Sequence, residues 1–276
     1  MAFPDYGNNR GIRQEIDYTW PMRTPYAPQR IFEESWRWLL DAVFPPGCIS
    51  CQDPIDISGG LCARCWPDMT FLSDPMCDRC GYPFEYDRDE ALLCGNCLRQ
   101  PPVFSHARSV LKYDEFSRDM ILGYKHTDQT RHAPAFASWM YRAAQDLVDS
   151  CDIICAVPLH PYRLLRRRYN QSALLTKELA VISGRPAIPD LLIRTAHTKS
   201  QGGLSAKARH RNVKGVFRVM NKHAERNRNA RILLVDDVLT TGATAEACSQ
   251  ALLRGGAANV DVLTFCRVVR ASNLSI

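Results

Sequence analysis

Four Cys-x-x-Cys pairs fall between residues 48 and 97, and they restrict the fold more than any other feature of the chain. They are Cys48/Cys51, Cys62/Cys65, Cys77/Cys80 and Cys94/Cys97. Two intervening residues let a tight turn aim both sulfurs at one ion, and two such turns complete a tetrahedral zinc site. Eight ligands make two closed, all-cysteine sites, which are structural because no position is left for water or substrate. Sequential pairing puts Cys48, Cys51, Cys62 and Cys65 on one Zn2+ and Cys77, Cys80, Cys94 and Cys97 on the other. Spacing alone leaves a cross-braced arrangement open, and disulfides or iron–sulfur clusters are the competing uses of such cysteines. A module this small buries too little apolar surface to fold alone, so metal binding supplies much of its folding free energy. Cys151, Cys155, Cys248 and Cys266 lie in or beside apolar stretches and read as core residues.

The zinc reading presupposes a cytosolic chain. Residues 1–30 carry Asp5, Arg10, Arg13, Glu15 and Asp17 among prolines and lack the apolar stretch of a secretory signal. No segment offers the ~20 apolar residues that cross a bilayer. The expectation is a cytoplasmic protein without membrane insertion.

Three regions are expected. Residues 1–29, with Pro4, Pro21, Pro25 and Pro28, read as a flexible extension. Residues 30–100 comprise an amphipathic helix, stopped by Pro45-Pro46-Gly47, and the double zinc ribbon. Residues 104–276 alternate strand and helix patterns, as an α/β domain requires. Strands are expected over 109–113, 153–157, 191–195, 232–235 and 260–265, and helices over 116–126, 134–148, 169–183 and 243–254. Parallel strands joined by helices are the natural arrangement.

Within that domain, the apolar run Ile232 to Val235 ends in Asp236 and Asp237. Thr240-Thr241-Gly242-Ala243-Thr244 then opens a helix. Ligands of open α/β sheets bind beyond the carboxyl ends of the strands, and helix N-termini attract phosphate. Adjacent carboxylates accept hydrogen bonds from vicinal ribose hydroxyls, while threonine hydroxyls and backbone amides surround a 5-phosphate. The plainer alternative is helix capping by the acids and a turn filled by threonines.

The thirteen residues 232–244 resemble the signature of type I phosphoribosyltransferases. The resemblance implies a parallel sheet flanked by helices, preceded here by the small double zinc ribbon. It implies that Asp236 and Asp237 form the ribose-binding and candidate catalytic pair. Thr240, Thr241, Gly242, Ala243 and Thr244 then hold the 5-phosphate of phosphoribosyl pyrophosphate (PRPP) or a related phosphorylated sugar, and Val238 belongs to the same binding pocket. Further words, Val-Pro-Leu-His-Pro-Tyr-Arg (157–163), Arg-Arg-Arg-Tyr-Asn-Gln (166–171), Thr-Lys-Ser-Gln-Gly-Gly-Leu (198–204) and Arg211-Asn212-Val213, follow the cysteine region in an order similar to the ComF family of natural transformation. That resemblance assigns pyrophosphate, with its Mg2+, to His160, Arg163 and Arg168, followed by Asn170 and Gln171. It assigns a mobile flap to 199–211, with Lys199, Gln201, Arg209 and Arg211 as its contacts.

Charge is concentrated in the same place. The chain carries +6 overall, yet His160–Lys214 holds twelve Lys or Arg against Glu178 and Asp190. A local excess of this kind suits a polyanion, either pyrophosphate or a nucleic-acid backbone. The ComF resemblance implies handling of incoming single-stranded DNA together with DNA-uptake proteins, with Arg163–Arg168 and Lys199–Lys214 on phosphates and Tyr162 and Tyr169 as stacking platforms. A phosphoribosyltransferase acting on a nucleobase or related acceptor, and a metabolite sensor without turnover, are the alternatives. No base-reading segment is visible before the chain ends.

Overall fold

Apolar side chains on both faces of the main sheet build the core of the computed structural model, which describes residues 46–57, 59–85, 92–126, 129–159, 164, 169–195 and 215–269. Its strands are β1 (Ala107–Lys112), β2 (Ile153–Ala156), β3 (Leu192–Arg194), β4 (Phe217–Val219), β5 (Arg231–Leu239) and β6 (Asn259–Arg267). Its α-helices are α1 (Gly95–Arg99), α2 (Glu115–His126), α3 (Ala133–Ala143), α4 (Gln145–Ser150), α5 (Gln171–Ser183), α6 (Ala224–Asn227) and α7 (Ala243–Arg254). The main sheet runs β1-β6-β5-β2 with every pairing parallel. Ile232 and Leu234 enter a core with Ala243, Cys248 and Leu252 of α7. Their neighbours Leu233 and Val235 enter the opposite core with Leu175 and Leu179 of α5 and Phe136 of α3. Burial on both faces explains why these strands read as continuous apolar runs. The four isolated cysteines are all buried, as expected.

Three elements depart from the sequence expectation. The helix expected over 134–148 is broken at Ala144 (φ −149°, ψ 41°), beyond which Leu147 and Val148 are buried. The strand expected over 191–195 lies outside the parallel sheet: β3 pairs antiparallel with β4, a three-residue strand too short to leave a period. The strand expected to end at Val235 continues to Leu239, because β6 goes on pairing with it, Asp236 opposite Thr264 and Val238 opposite Cys266. The two acids are therefore strand residues.

The cysteine region is a structural repeat. Pro46-Gly-Cys48-Ile-Ser-Cys51-Gln-Asp-Pro54 and Pro75-Met-Cys77-Asp-Arg-Cys80-Gly-Tyr-Pro83 make the same turns. In each the first cysteine amide donates five residues ahead, Cys48 to Asp53 and Cys77 to Tyr82, both at 2.8 Å. A short antiparallel bridge follows, Gly47 with Pro54 and Met76 with Pro83. The residue after the second cysteine takes left-handed φ in both copies, +65° at Gln52 and +67° at Gly81. Only the second copy is pressed on the sheet at this point: a Cβ on Gly81 would stand 2.4 Å from the carbonyl oxygen of Ala107. Gln52 instead receives a hydrogen bond from Arg131. Gly81→Ala is thus expected to cost about 1–3 kcal/mol, read as a lower urea midpoint, whereas Gln52→Ala should be nearly neutral. Equal effects at the two positions would contradict this account of the docking.

Candidate functional site

β2 and β5 are neighbours, but α5 after β2 and α7 after β5 pack on opposite faces of the sheet. Such a reversal opens a crevice beyond the carboxyl ends of the two strands, where open α/β sheets bind ligands. A cleft of about 220 Å³ occupies that place. Asp236 and Asp237 contribute to it from β5, Val157–Leu159 from the end of β2, Ser172 from α5, and Thr240, Gly242 and Thr244 from the turn before α7. Gly242 adopts φ +78° as the N-cap of the twelve-residue α7. Nothing lies within 4 Å of where its Cβ would be, so backbone conformation alone makes glycine fit here. The first turn of α7 brings its amides and the positive end of the helix dipole to this edge.

The acids are held by residues from distant elements. Lys125, at the end of α2, pairs with Asp237 at 2.8 Å, and both side chains are largely buried. Ser172 Oγ donates to Asp236 Oδ1 at 2.9 Å, and the Asp237 amide donates to the same oxygen at 2.9 Å. Asn170 caps α5 by accepting from the Ser172 amide at 3.1 Å, and its Nδ2 donates to the Val157 carbonyl at 3.0 Å. One side chain thereby ties the end of β2 to the start of α5. Tyr169 donates its hydroxyl to the Tyr124 carbonyl at 2.8 Å, a bond that serves the scaffold.

Burial, and next the Asp237 carboxylate, push Asp236 up to about 7. The fold therefore favours its protonated form. Its contribution to stability is complete below the ordinary value of 3.8 and is lost as pH rises to about 7. Asp236→Asn cannot ionise, yet it keeps an oxygen for Ser172 and the Asp237 amide. The variant is expected to gain stability over the wild type progressively from about pH 4 to pH 7 and to level off above that, reaching on the order of 2–4 kcal/mol in denaturant unfolding. An unchanged or lowered stability at pH 8 would argue against a buried, strained acid pair.

Among the residues singled out by sequence, Asp236, Asp237, Val238, Thr240, Gly242 and Thr244 border the cleft. Thr241 turns inward to accept from the Ala243 amide at 3.4 Å, and Ala243 is buried in the core. His160, Arg163, Arg168 and Lys199 lie outside the described residues, as do Tyr162, Gln201, Arg209 and Arg211. Of the basic run that is described, Arg194 borders the cleft with its guanidinium 5.4 Å from the Phe217 ring centroid, and Arg185 binds the Asp149 carbonyl. Lys125, Ser172 and Arg194 were missed as site residues. For Ser172 a signal exists, its place in the first turn of the helix after β2; Lys125 has none.

The cysteines form two separate tetrads, Cys48, Cys51, Cys62, Cys65 and Cys77, Cys80, Cys94, Cys97, each with its sulfurs within 4.8 Å of one another. Zn–S bonds of about 2.3 Å in a tetrahedron require sulfurs about 3.8 Å apart. Cys51 and Cys62 stand 3.7 Å apart, and Cys80 and Cys94 3.6 Å. The Cys62 and Cys94 amides donate to the sulfurs of Cys48 and Cys77 at 3.3 Å each, supporting thiolate character. Within the second tetrad, hydrogen bonds from Cys80 pull Cys77 far down while those with Cys77 push Cys97 far up. Four thiolates this close need a divalent cation, and both tetrads fit structural zinc. The second is the more buried and belongs to the core of the sheet, where Arg267 of β6 donates to the Cys80 carbonyl and, at 3.4 Å, to its sulfur.

The double zinc ribbon domain family matches residues 39–98. Competence protein F of Haemophilus influenzae is 33% identical over 227 residues, 80% of this chain and 96% of its own. The DNA utilization protein YhgH of Escherichia coli K12 is 32% identical over 81% of this chain and 98% of its own. Competence protein ComFC of Bacillus subtilis is 26% identical over 75% and 84%. Among solved structures, the allosteric regulatory enzyme of purine biosynthesis aligns with 52% of this chain and 29% of its own at TM-score 0.33 and 17% identity, too distant to bear on function. No helix of the described residues is long and apolar enough to cross a membrane.

Proposed function

The chain belongs to the competence protein F family, and from that premise we propose that its cleft binds PRPP or ribose 5-phosphate in a protein that handles single-stranded DNA during natural transformation. The observation that carries the ligand is the acid pair. Asp236 and Asp237 sit side by side at a strand switch point, next to a glycine-started helix N-terminus. Carboxylates suit the two ribose hydroxyls, and the amides and hydroxyls of 240–244 suit the 5-phosphate. Lys125 balances one of the two acidic charges and lies where it can meet an anionic substituent of the sugar. Mg2+ would accompany the pyrophosphate and neutralise its charge. His160, Arg163, Arg168 and Lys199 remain the proposed pyrophosphate contacts.

The DNA part draws on the names of the relatives and on the twelve basic residues of 160–214. Labelled oligo(dT) should bind the zinc-loaded protein with an affinity that falls steeply with salt, and a strain lacking the protein should lose transformation. Binding that is absent at low salt, or insensitive to salt, would sink this part.

Transfer onto an acceptor is a second reading, favoured by one observation. A carboxylate near pKa 7 is poised for general acid–base work, and Asp236 is pushed to that value. Its test is pyrophosphate release from PRPP and Mg2+ across a panel of nucleobases. Release that needs one acceptor supports transfer; none with any acceptor leaves a binding protein.

A further inference from the structure

The first ribbon and α3 border an open groove that the phosphoribosyl cleft does not use, about 940 Å³ in volume. Ribbon residues 54–57, 59–63 and Trp66 line one side, and Ala135 and Trp139 of α3 the other, with Arg131 and Arg142 alongside. Trp66 and Trp139 line it, and Phe71, beside the groove, joins them in a series of three aromatic rings. Trp66 and Phe71 lie 5.1 Å apart between centroids, and Phe71 and Trp139 5.7 Å. Trp139 is anchored by stacking on Phe265 of β6, whereas Trp66 is 56% exposed and Phe71 38%. Large exposed rings grouped in this way mark a contact surface.

The charge beside the rings identifies the partner. Arg131 and Arg142 are both exposed, and Asp56 is the one acid among the described residues lining the groove. An acidic peptide would satisfy the arginines but gives no reason for a series of flat rings. A single strand meets both features, since every base has a face to stack and every nucleotide a phosphate to pair. We propose that this groove binds single-stranded nucleic acid, with bases on Trp66 and Phe71 and backbone phosphates on Arg131 and Arg142. The proposal rests on the DNA-handling reading above and goes beyond it by assigning the ribbon, not the basic segment 160–214, as the stacking surface.

The test is anisotropy of labelled oligo(dT) with the full zinc-loaded chain. Trp66→Ala is expected to weaken binding about ten-fold and Trp66→Phe to retain most of it, because stacking needs a ring. Arg142→Ala should reduce the salt slope by about one. Both positions are exposed and lie away from the phosphoribosyl cleft, so PRPP-dependent thermal stabilisation should be unchanged in each variant. Wild-type binding that survives in Trp66→Ala and Arg142→Ala, but is lost on replacing Arg166–Arg168, overturns the groove and leaves DNA handling standing. No binding by the wild type overturns both. A concentration-dependent dimer that Trp66→Ala dissolves, with no effect on oligo(dT), assigns the groove to a second copy of the chain and overturns the proposal as well.

Discussion

Replacing Asp236 and Asp237 together by Asn is expected to lower the affinity for ribose 5-phosphate about 100-fold while leaving that for inorganic phosphate equal or higher. On the proposed binding mode the two acids meet the sugar diol, and a charged acceptor binds a hydroxyl by roughly 1.5–3 kcal/mol, against about half of that for a neutral amide. Two weakened bonds come to about 2.7 kcal/mol, and each 1.4 kcal/mol is a factor of ten. Inorganic phosphate has no diol. For it, removing the acids only frees Lys125, whose Nζ stands 2.8 Å from Asp237. If the acids were capping groups with no ligand role, the variant would bind both compounds more tightly, because the negative charge of the acid pair would be gone. Calorimetric titration of both ligands into wild type and variant separates the two cases by the sign of the ribose 5-phosphate effect.

Breaking the second cysteine tetrad should be the most damaging change to stability, worth at least about 3 kcal/mol for Cys80→Ser and more on stripping the metal with a chelator. Cys77, Cys80, Cys94 and Cys97 are part of the same core as Ile232, Leu234 and Val262, and Arg267 reaches from the sheet to Cys80. Losing this metal site opens the main domain. The first tetrad is different: Cys51 and Cys62 are only partly buried. Cys51→Ser is therefore expected to loosen its own ribbon while the sheet still unfolds cooperatively at nearly the wild-type denaturant concentration. Equal losses from the two substitutions, read by circular dichroism in urea, would show that the ribbons are one unit and that docking of the second is not what ties zinc to the fold.

The chemistry was legible wherever it is carried by adjacent residues. The four Cys-x-x-Cys pairs announce the ribbons, and Ile232 to Thr244 places an acid pair before a phosphate-suited helix start. Residues that converge from afar were not legible. Ser172 reaches Asp236 across 64 positions, and Lys125 comes from a helix whose sequence gives no sign of facing β5. Helix periodicity reports which face is apolar, not which polar residue at the end of that face meets a strand. The end of β5 was misjudged for a related reason. Hydropathy stops at Val235, but the strand is prolonged by hydrogen bonds to β6, and pairing leaves no mark on the side chains of Asp236 and Asp237. Gly81 shows the same limit, since its tight approach to Ala107 exists only once the second ribbon is docked.

The ribbon repeat gives this limit a functional side. Two copies of one turn carry different work: the second is sealed into the sheet, while the first keeps its loop, its exposed Trp66 and Arg131 near α3 at the surface. A chain without the cysteine region would lose both the contact of the second ribbon with Ala107 of β1 and that open groove.

A crystal structure of the protein grown with ribose 5-phosphate tests the central claim most directly. The account predicts the 5-phosphate on the backbone amides and hydroxyls of Thr240–Thr244, and the two ribose hydroxyls within hydrogen-bond distance of Asp236 and Asp237. A sugar phosphate bound elsewhere, or a cleft that stays empty at saturating ligand while Lys125 remains paired with Asp237, would contradict it.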